Sequence, residues 1–375
     1  MFASGRVRRA GEKEGVMRNC VEQYVRQFQM EKDLAKKSGA VKVDILDLSA
    51  KLSVDVVTKY LFGRSFGGLD EHAENLRVRS EDWEEGKKTA GSKLSLNPFI
   101  FTVVAFGRFS LFPNWLFKLC YRASIRLSAD EKVFASLGKL GRFVKEVVDD
   151  ANPGKYDTYQ ARLLAAGISE DETIKQCKAV MFAGTDSTSV KLATIIFHIV
   201  QNPPVLEKLK AEVQEAGIDR EIDPQSLPYL RAVIKEGLRL GVANPARLTR
   251  VVPNPGFEVS EYYIPPGTIV GIAPWMVHHN PSLFPEPFKF RPERWLEEHK
   301  DPSRRAEMER DLIPFGTGSR ACLARNLALQ QLHVSVRALV ESGVLEGART
   351  CKERIEIVEW FNAEIRGHEL EIQWE

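Results

Sequence analysis

The sequence predicts a mainly α-helical protein with small β-sheets, and three observations predict it. Apolar residues recur at helical spacing over several long stretches. Strand-like segments are short and confined to a proline-rich region after residue 250. No regular alternation of strand and helix runs along the chain, which disfavours a doubly wound sheet or a barrel enzyme. The 375 residues carry no repeats and no low-complexity tract; length alone suggests two or three domains, but large single folds are the known exception, so it decides little.

Taken in order, residues 15–85 read as helical. Val21, Tyr24 and Phe28 share one helix face, and residues 46–50 lead into Leu52, Val56, Val57 and Tyr60. Gly63, Gly67 and Gly68 end that helix. A helix over 129–149 is broken by Asn152-Pro153-Gly154. A long apolar-periodic helix spans 171–201 and stops at Asn202-Pro203-Pro204. Proline there lacks an N–H and disfavours helix at the residue before it. A charged helix follows over 205–216, and another runs from Leu227-Pro228 to about residue 240. Strand candidates at 261–264 and 268–273 are joined by Pro265-Pro266-Gly267, with proline and glycine where a type II turn wants them. A loop with Gly316 and Gly318 then opens into a helix over 323–342.

Composition narrows the function classes. The net charge is +2, from 53 basic and 51 acidic residues, and gives no reason to invoke nucleic acid. The five cysteines are scattered and form no CxxC pair, so neither a disulfide framework nor a zinc site is expected. Arg6, Arg8 and Arg9 open the chain without an apolar stretch behind them, so no signal peptide is read there. The apolar stretch 94–119 is interrupted by Pro98, Gly107, Arg108 and Pro113 and falls short of the ~20 residues a span needs. It is expected to be a buried region or a patch in peripheral contact with a membrane. The seven histidines lack metal-ligand spacing, and His278-His279 reads as a loop pair.

Chemistry concentrates in three motifs. Phe315-Gly316-Thr317-Gly318-Ser319-Arg320-Ala321-Cys322-Leu323-Ala324 puts a cysteine at the mouth of a helix, after a loop made permissive by two glycines. A helix N-terminus favours the thiolate, and Arg320 adds a positive charge suited to a carboxylate. A lone cysteine beside a helix is more often a buried apolar residue. Ala183-Gly184-Thr185-Asp186-Ser187-Thr188 sets three hydroxyls and a carboxylate within an apolar helix, where the bland alternative is a polar helix side. Glu236-Gly237-Leu238-Arg239 spaces an acid and a base three apart, which alone is most often a surface salt bridge.

Together these segments resemble the cytochrome P450 family, and its fungal members most. The cysteine loop resembles that family's heme-ligating signature, with Ala324 where glycine is usual. The resemblance implies heme b as cofactor, Cys322 as axial ligand of its iron, and Phe315, Gly316, Gly318 and Arg320 as heme-binding residues. Segment 171–201 would be the oxygen-binding helix and 315–342 the heme-thiolate loop with its following helix. Ala183 and Gly184 would line the oxygen groove and Asp186 relay protons. Ser187 stands for the usual threonine, keeping the hydroxyl and losing the methyl that restricts χ1. Phe290-Arg291-Pro292-Glu293-Arg294-Trp295 resembles the segment whose arginine joins a buried cluster, here Glu236, Arg239 and Arg294. Arg250 would be a second propionate contact. Phe182, Val242, Ala243 and Asn244 would face substrate.

The implied reaction is insertion of one oxygen atom from O2 into a lipophilic small molecule of fungal secondary metabolism. NADPH would supply electrons through a separate reductase docking near Arg320 and Arg325. A monomer is expected. Against the family, the chain lacks a Trp-x-x-x-Arg heme contact, and roughly the first quarter of a family member is read as absent. Two alternatives therefore stand: a truncated chain without heme and without activity, and a heme-thiolate isomerase or dehydratase of the same fold. The resemblance implies the endoplasmic reticulum membrane, whereas the chain as read carries no anchor, which leaves a cytoplasmic location open.

Overall fold

The computed structural model describes all residues but 1, 4, 6, 8–14, 39–41, 85–111, 129–130, 153, 155–156, 218–221, 297–301, 360–361 and 375. Helix α1 (Val16–Ser38) buries Met17, Cys20, Val21, Tyr24 and Phe28. These positions recur every three or four residues, so one stripe faces the core. Strand β1 (Lys42–Asp44) follows, inside a stretch that the sequence reads as wholly helical. Three residues are too few to register as an alternating pattern. Asp44 ends the strand and caps α2 (Ile45–Phe62), accepting the N–H groups of Leu46 and Asp47 at 3.0 and 3.3 Å. Gly63, with φ of 76°, closes that helix in the left-handed region. Asp55 then accepts the N–H groups of Gly67, Gly68 and Leu69, shaping the turn into α3 (Gly68–Glu84).

Helices α4 (Asn114–Ser128), α5 (Glu131–Asp149) and α6 (Tyr159–Ala165) lead to the long α7 (Glu170–Gln201). Ser169 caps α7, and Glu170, Asp171 and Glu172 in its first turn complement the helix dipole. Its chief partner is α2. Of the stretch 94–119, only residues from 112 onward lie within the described set, as the exposed Phe112, Trp115 and Leu119 do; Arg6, Arg8 and Arg9 lie outside it. No helix among the described residues is long and apolar enough to cross a membrane.

Helix α8 (Pro203–Glu215) begins on the prolines that stop α7, and α9 (Pro228–Leu240) crosses α7 closely. A Cβ on Gly237 would meet Cγ1 of Ile195 at 2.2 Å, so only glycine allows that approach. Four short strands follow: β2 (Leu248–Val251), β3 (Phe257–Val259), β4 (Tyr262–Ile264) and β5 (Ile269–Ile272). The turn at Pro265-Pro266-Gly267 is formed, with Thr268 N–H donating to the Pro265 carbonyl at 3.3 Å and Gly267 at φ 83°. The strands it joins do not pair with each other: β4 pairs with β3, and β5 pairs with β2.

After α10 (Pro274–His278), α11 (Pro302–Asp311) and α12 (Arg325–Glu341), the chain ends in β6 (Ala348–Thr350), β7 (Ile357–Val358), β8 (Glu364–Ile365) and β9 (Glu371–Trp374). β9 returns to lie between β1 and β6. The main core gathers α1, α2, α7, α8, α9 and α12 around Phe28, Leu52, Ile196, Leu230 and Leu332.

Three histidines in this core are held neutral. Burial pushes His278 down to about 3, and His198 and His333 each to about 4. His278 ends α10, fully buried, and is therefore no loop residue; its Nε2 accepts the N–H of Ile313 at 3.0 Å. An unfolded chain protonates these rings near pH 6.5, the folded chain only near their lowered values. Between those limits the unfolded state binds more protons, so stability falls as pH falls from about 6.5 toward 4. Each ring contributes up to about 1.4 kcal/mol per pH unit there. Thermal unfolding at stepped pH should show Tm dropping over this window, the three histidines outweighing Asp44 and Asp186, whose carboxyls are raised to about 6 and act in the opposite sense. A Tm flat from pH 7 to 4.5 would refute the assignment.

Candidate active site

A cavity of about 550 Å³ opens between α7, α2, the 242–250 segment and the loop that carries Cys322. The loop is shaped by its own backbone. Cys322 N–H donates to the Phe315 carbonyl at 2.8 Å, and Gly316 N–H to the Ile313 carbonyl at 3.1 Å. Gly316 and Gly318 have φ of 66° and 70°, which a side chain would resist. Phe315, Gly316, Arg320 and Cys322 all line the cavity, and Cys322 is an exposed free thiol. Gly318, expected at the cofactor, is not among the lining residues; it belongs to a short 3-10 turn, Gly318–Arg320, and serves the loop's shape. The following helix starts at Arg325, two residues later than the sequence suggests, so Cys322 precedes its first turn.

From α7, Ala183, Gly184, Ser187, Thr188 and Lys191 line the same cavity. Gly184 answers a second demand: a Cβ there would meet Cγ2 of Val57 on α2 at 2.6 Å. The Ser187 hydroxyl donates to the Ala183 carbonyl at 3.0 Å. Asp186 lies beside the cavity and is not among its lining residues. Its Oδ2 accepts from Nδ2 of Asn362 at 3.0 Å, and Oδ1 of Asn362 accepts from Nδ2 of Asn244 at 2.8 Å. Burial pushes the Asp186 carboxyl up to about 6, while the Asn362 hydrogen bond and Lys191 act to lower it.

Val242, Ala243, Asn244 and Arg250 all line the cavity, as does Arg247. Phe182, expected to face substrate, does not. It packs against the cluster of α2 and α5 side chains that includes Val57, Phe62 and Val144. The reason is the helix period: two residues before Gly184 is about 200° round the helix, on the side opposite the cavity.

Glu236, Arg239 and Arg294 come together in the interior. Arg239 donates from Nε and Nη2 to the two Glu236 oxygens at 3.1 and 2.8 Å, and Arg294 Nε donates to Oε1 at 3.0 Å. Trp295 Nε1 and the Arg291 N–H complete the carboxylate at 2.8 and 3.0 Å. Arg239 spends its other nitrogen on the carbonyls of His278 and Pro287 at 2.8 and 2.6 Å.

Two residues escaped the sequence reading. Lys191 follows Ser187 by four and Gly184 by seven, so helical spacing places it on the cavity stripe. Asn362 carries no local signal, since its contact with Asp186 joins residues 176 apart.

The cavity fits a group that brings its own metal. Among the described residues, no cluster of three His, Cys, Asp or Glu could hold a bare ion. A metal at Cys322 must therefore arrive with its other ligands, as heme iron does. The walls offer apolar side chains, a glycine loop and the arginines 247, 250 and 320 for carboxylates. A long helix and a cysteine loop facing one such cavity are the hallmark of cytochromes P450, and this chain belongs to that family: the Cytochrome P450 family model matches residues 2–346.

Among its relatives is the cytochrome P450 monooxygenase mfmF of Annulohypoxylon moriforme, 47% identical over 385 residues, covering 100% of this chain and 74% of that protein. N-acetyltryptophan 6-hydroxylase ivoC of Emericella nidulans is 31% identical over 325 residues, covering 82% of this chain and 60% of ivoC. A crystal structure of a cytochrome P450 matches with a TM-score of 0.68 at 16% identity, covering 99% of this chain and 79% of that one. At that identity the likeness speaks for the fold. The family is one of heme-binding oxidoreductases, mainly α with small antiparallel sheets, as here.

Proposed function

We propose that this protein is a heme-thiolate monooxygenase that inserts one atom of O2 into a lipophilic small molecule of fungal secondary metabolism. The observation that carries this reading is that Cys322 and the stripe of Ala183, Gly184 and Ser187, from separate elements, line one cavity. Bound there, heme b supplies the oxidative chemistry. Cys322 would hold its iron as thiolate, and Arg320 and Arg250 would pair with its carboxylates. Ala183 and Gly184 leave room beside the helix. Val242, Ala243 and Asn244 present a mostly apolar wall to substrate. Glu236, Arg239 and Arg294 hold the segments behind the cysteine loop.

Protons are handled by two side chains. Asp186, raised to about 6, can hold and release a proton near neutral pH. The Ser187 hydroxyl has to turn from the Ala183 carbonyl to pass a proton into the cavity. Electrons come from NADPH through a separate reductase, drawn to the exposed Arg320 and Arg325 beside Cys322. Family likeness points to the surface of the endoplasmic reticulum as the place of action.

The test is turnover by the heme-supplied chain with reductase and NADPH. N-acetyltryptophan, the compound in the name of one relative, is the first probe, beside polycyclic hydrocarbons. A product heavier by one oxygen atom is expected. Ser187→Ala should lower product formed per NADPH by about tenfold, with electrons appearing as hydrogen peroxide, since placed proton donors contribute at least that much. Ser187→Thr should match or exceed the parent. Equal coupling in Ser187→Ala would remove the hydroxyl from the mechanism.

A further inference from the structure

Lys191 is out of place by ordinary packing rules. It lies in an apolar part of α7, is 4% exposed, and lines the cavity one turn beyond Ser187. Burying an ammonium costs several kcal/mol unless it is paired. Among the described residues Lys191 has no ion pair and no hydrogen bond. Its nearest defined partner is the ring of Phe315, with Nζ 5.1 Å from the centroid. Phe315 opens the cysteine loop, and its carbonyl is the acceptor for the Cys322 N–H at 2.8 Å. Arg325 approaches the same ring at 5.8 Å from the protein surface.

Geometry brings Lys191 to the cysteine loop: it lines the same cavity as Cys322 and stands over the Phe315 ring. Burial lowers it to about 8, and Cys322 and Asp186, in that order, act to raise it, so it stays charged at neutral pH. Asp186 is already engaged by Asn362. The opposite charge left for Lys191 is the thiolate of Cys322. Thiolate ligands are tuned by their outer surroundings: a nearby cation draws negative charge toward itself and weakens donation to the metal. The same cation favours arrival of an electron, so both effects ease reduction.

We propose that Lys191 is a positioning residue that fixes a positive charge against the Cys322 loop and makes a heme held there easier to reduce than an apolar residue at 191 would. The proposal rests on the reading of Cys322 as the iron ligand.

The experiment uses the full chain supplied with heme, as parent, Lys191→Met, Lys191→Gln and Lys191→Arg. Heme stoichiometry, the band of the reduced carbon monoxide complex and the equilibrium reduction potential are measured for each. Removing a buried unpaired charge should not harm folding, so the two neutral variants should bind heme as the parent does. Both should show a reduction equilibrium constant about tenfold lower, a shift of 59 mV for one electron. Lys191→Arg should remain near the parent. Neutral variants that keep heme and the parent potential overturn the proposal. So do neutral variants that lose heme, because Lys191 would then be structural. A parent chain without a thiolate band would defeat the reading of Cys322 itself, which the variants alone cannot do.

Discussion

Cys322→Ala should leave a folded protein that has lost the strongly red-shifted Soret band of the reduced carbon monoxide complex and all measurable oxygen insertion. The fold should survive because the thiol is exposed, while the bond that shapes the loop is made by the Cys322 backbone N–H. Alanine keeps that N–H. The left-handed turns of the loop reside in Gly316 and Gly318. What disappears is the ligand, and no other cysteine is among the residues that line the cavity. Spectra, circular dichroism and turnover measured together decide the matter. A variant that keeps the parent band would mean that heme, if bound, is held by some other residue.

What the sequence made legible depended on how far apart the cooperating residues stand. The cysteine loop is ten contiguous residues, and its glycines and cysteine carry their meaning locally. Helices α7 and α9 were legible because apolar periodicity runs long and prolines mark their ends. Glu236 and Arg294, 58 residues apart, could be joined only through resemblance to a family. The strands β1 and β6 to β9 were not legible, because two to four residues give no alternation to read. At the site, Phe182 adjoins Ala183 in the sequence, yet winding the segment into a helix turns it away from the cavity. Lys191 stands outside the contiguous motif, and only the same winding puts it on the cavity face. Asn362 became visible only when the C-terminal segment folded back, its neighbour Ala363 donating its N–H to the Ala243 carbonyl at 2.8 Å.

Glu236→Ala should be strongly destabilising, because the carboxylate it removes is fully buried. The side chains of Glu236 and Arg239 are 0% exposed and that of Arg294 is 3% exposed, so water cannot take over the lost contacts. Five donor groups converge on that carboxylate: Arg239 Nε and Nη2, Arg294 Nε, Trp295 Nε1 and the Arg291 N–H. Removing it strands two guanidinium groups in the interior, and breaking a buried pair in this way costs about 3–5 kcal/mol. That is a large share of the roughly 5–15 kcal/mol by which proteins are stable. Burial decides this, and distance does not. The exposed pair Arg77–Glu74 is as short, at 2.6 Å, yet water solvates both partners and such pairs contribute little. The damage should also reach the site. Arg239 holds the His278 carbonyl, and the His278 ring holds the Ile313 N–H at the entrance to the cysteine loop. Heme retention in Glu236→Ala should therefore fall together with stability, whereas Glu74→Ala should change neither. Denaturant unfolding and heme content of both variants give the comparison. If Glu236→Ala unfolds within about 1 kcal/mol of the parent, the cluster does not hold the segments behind the cysteine loop.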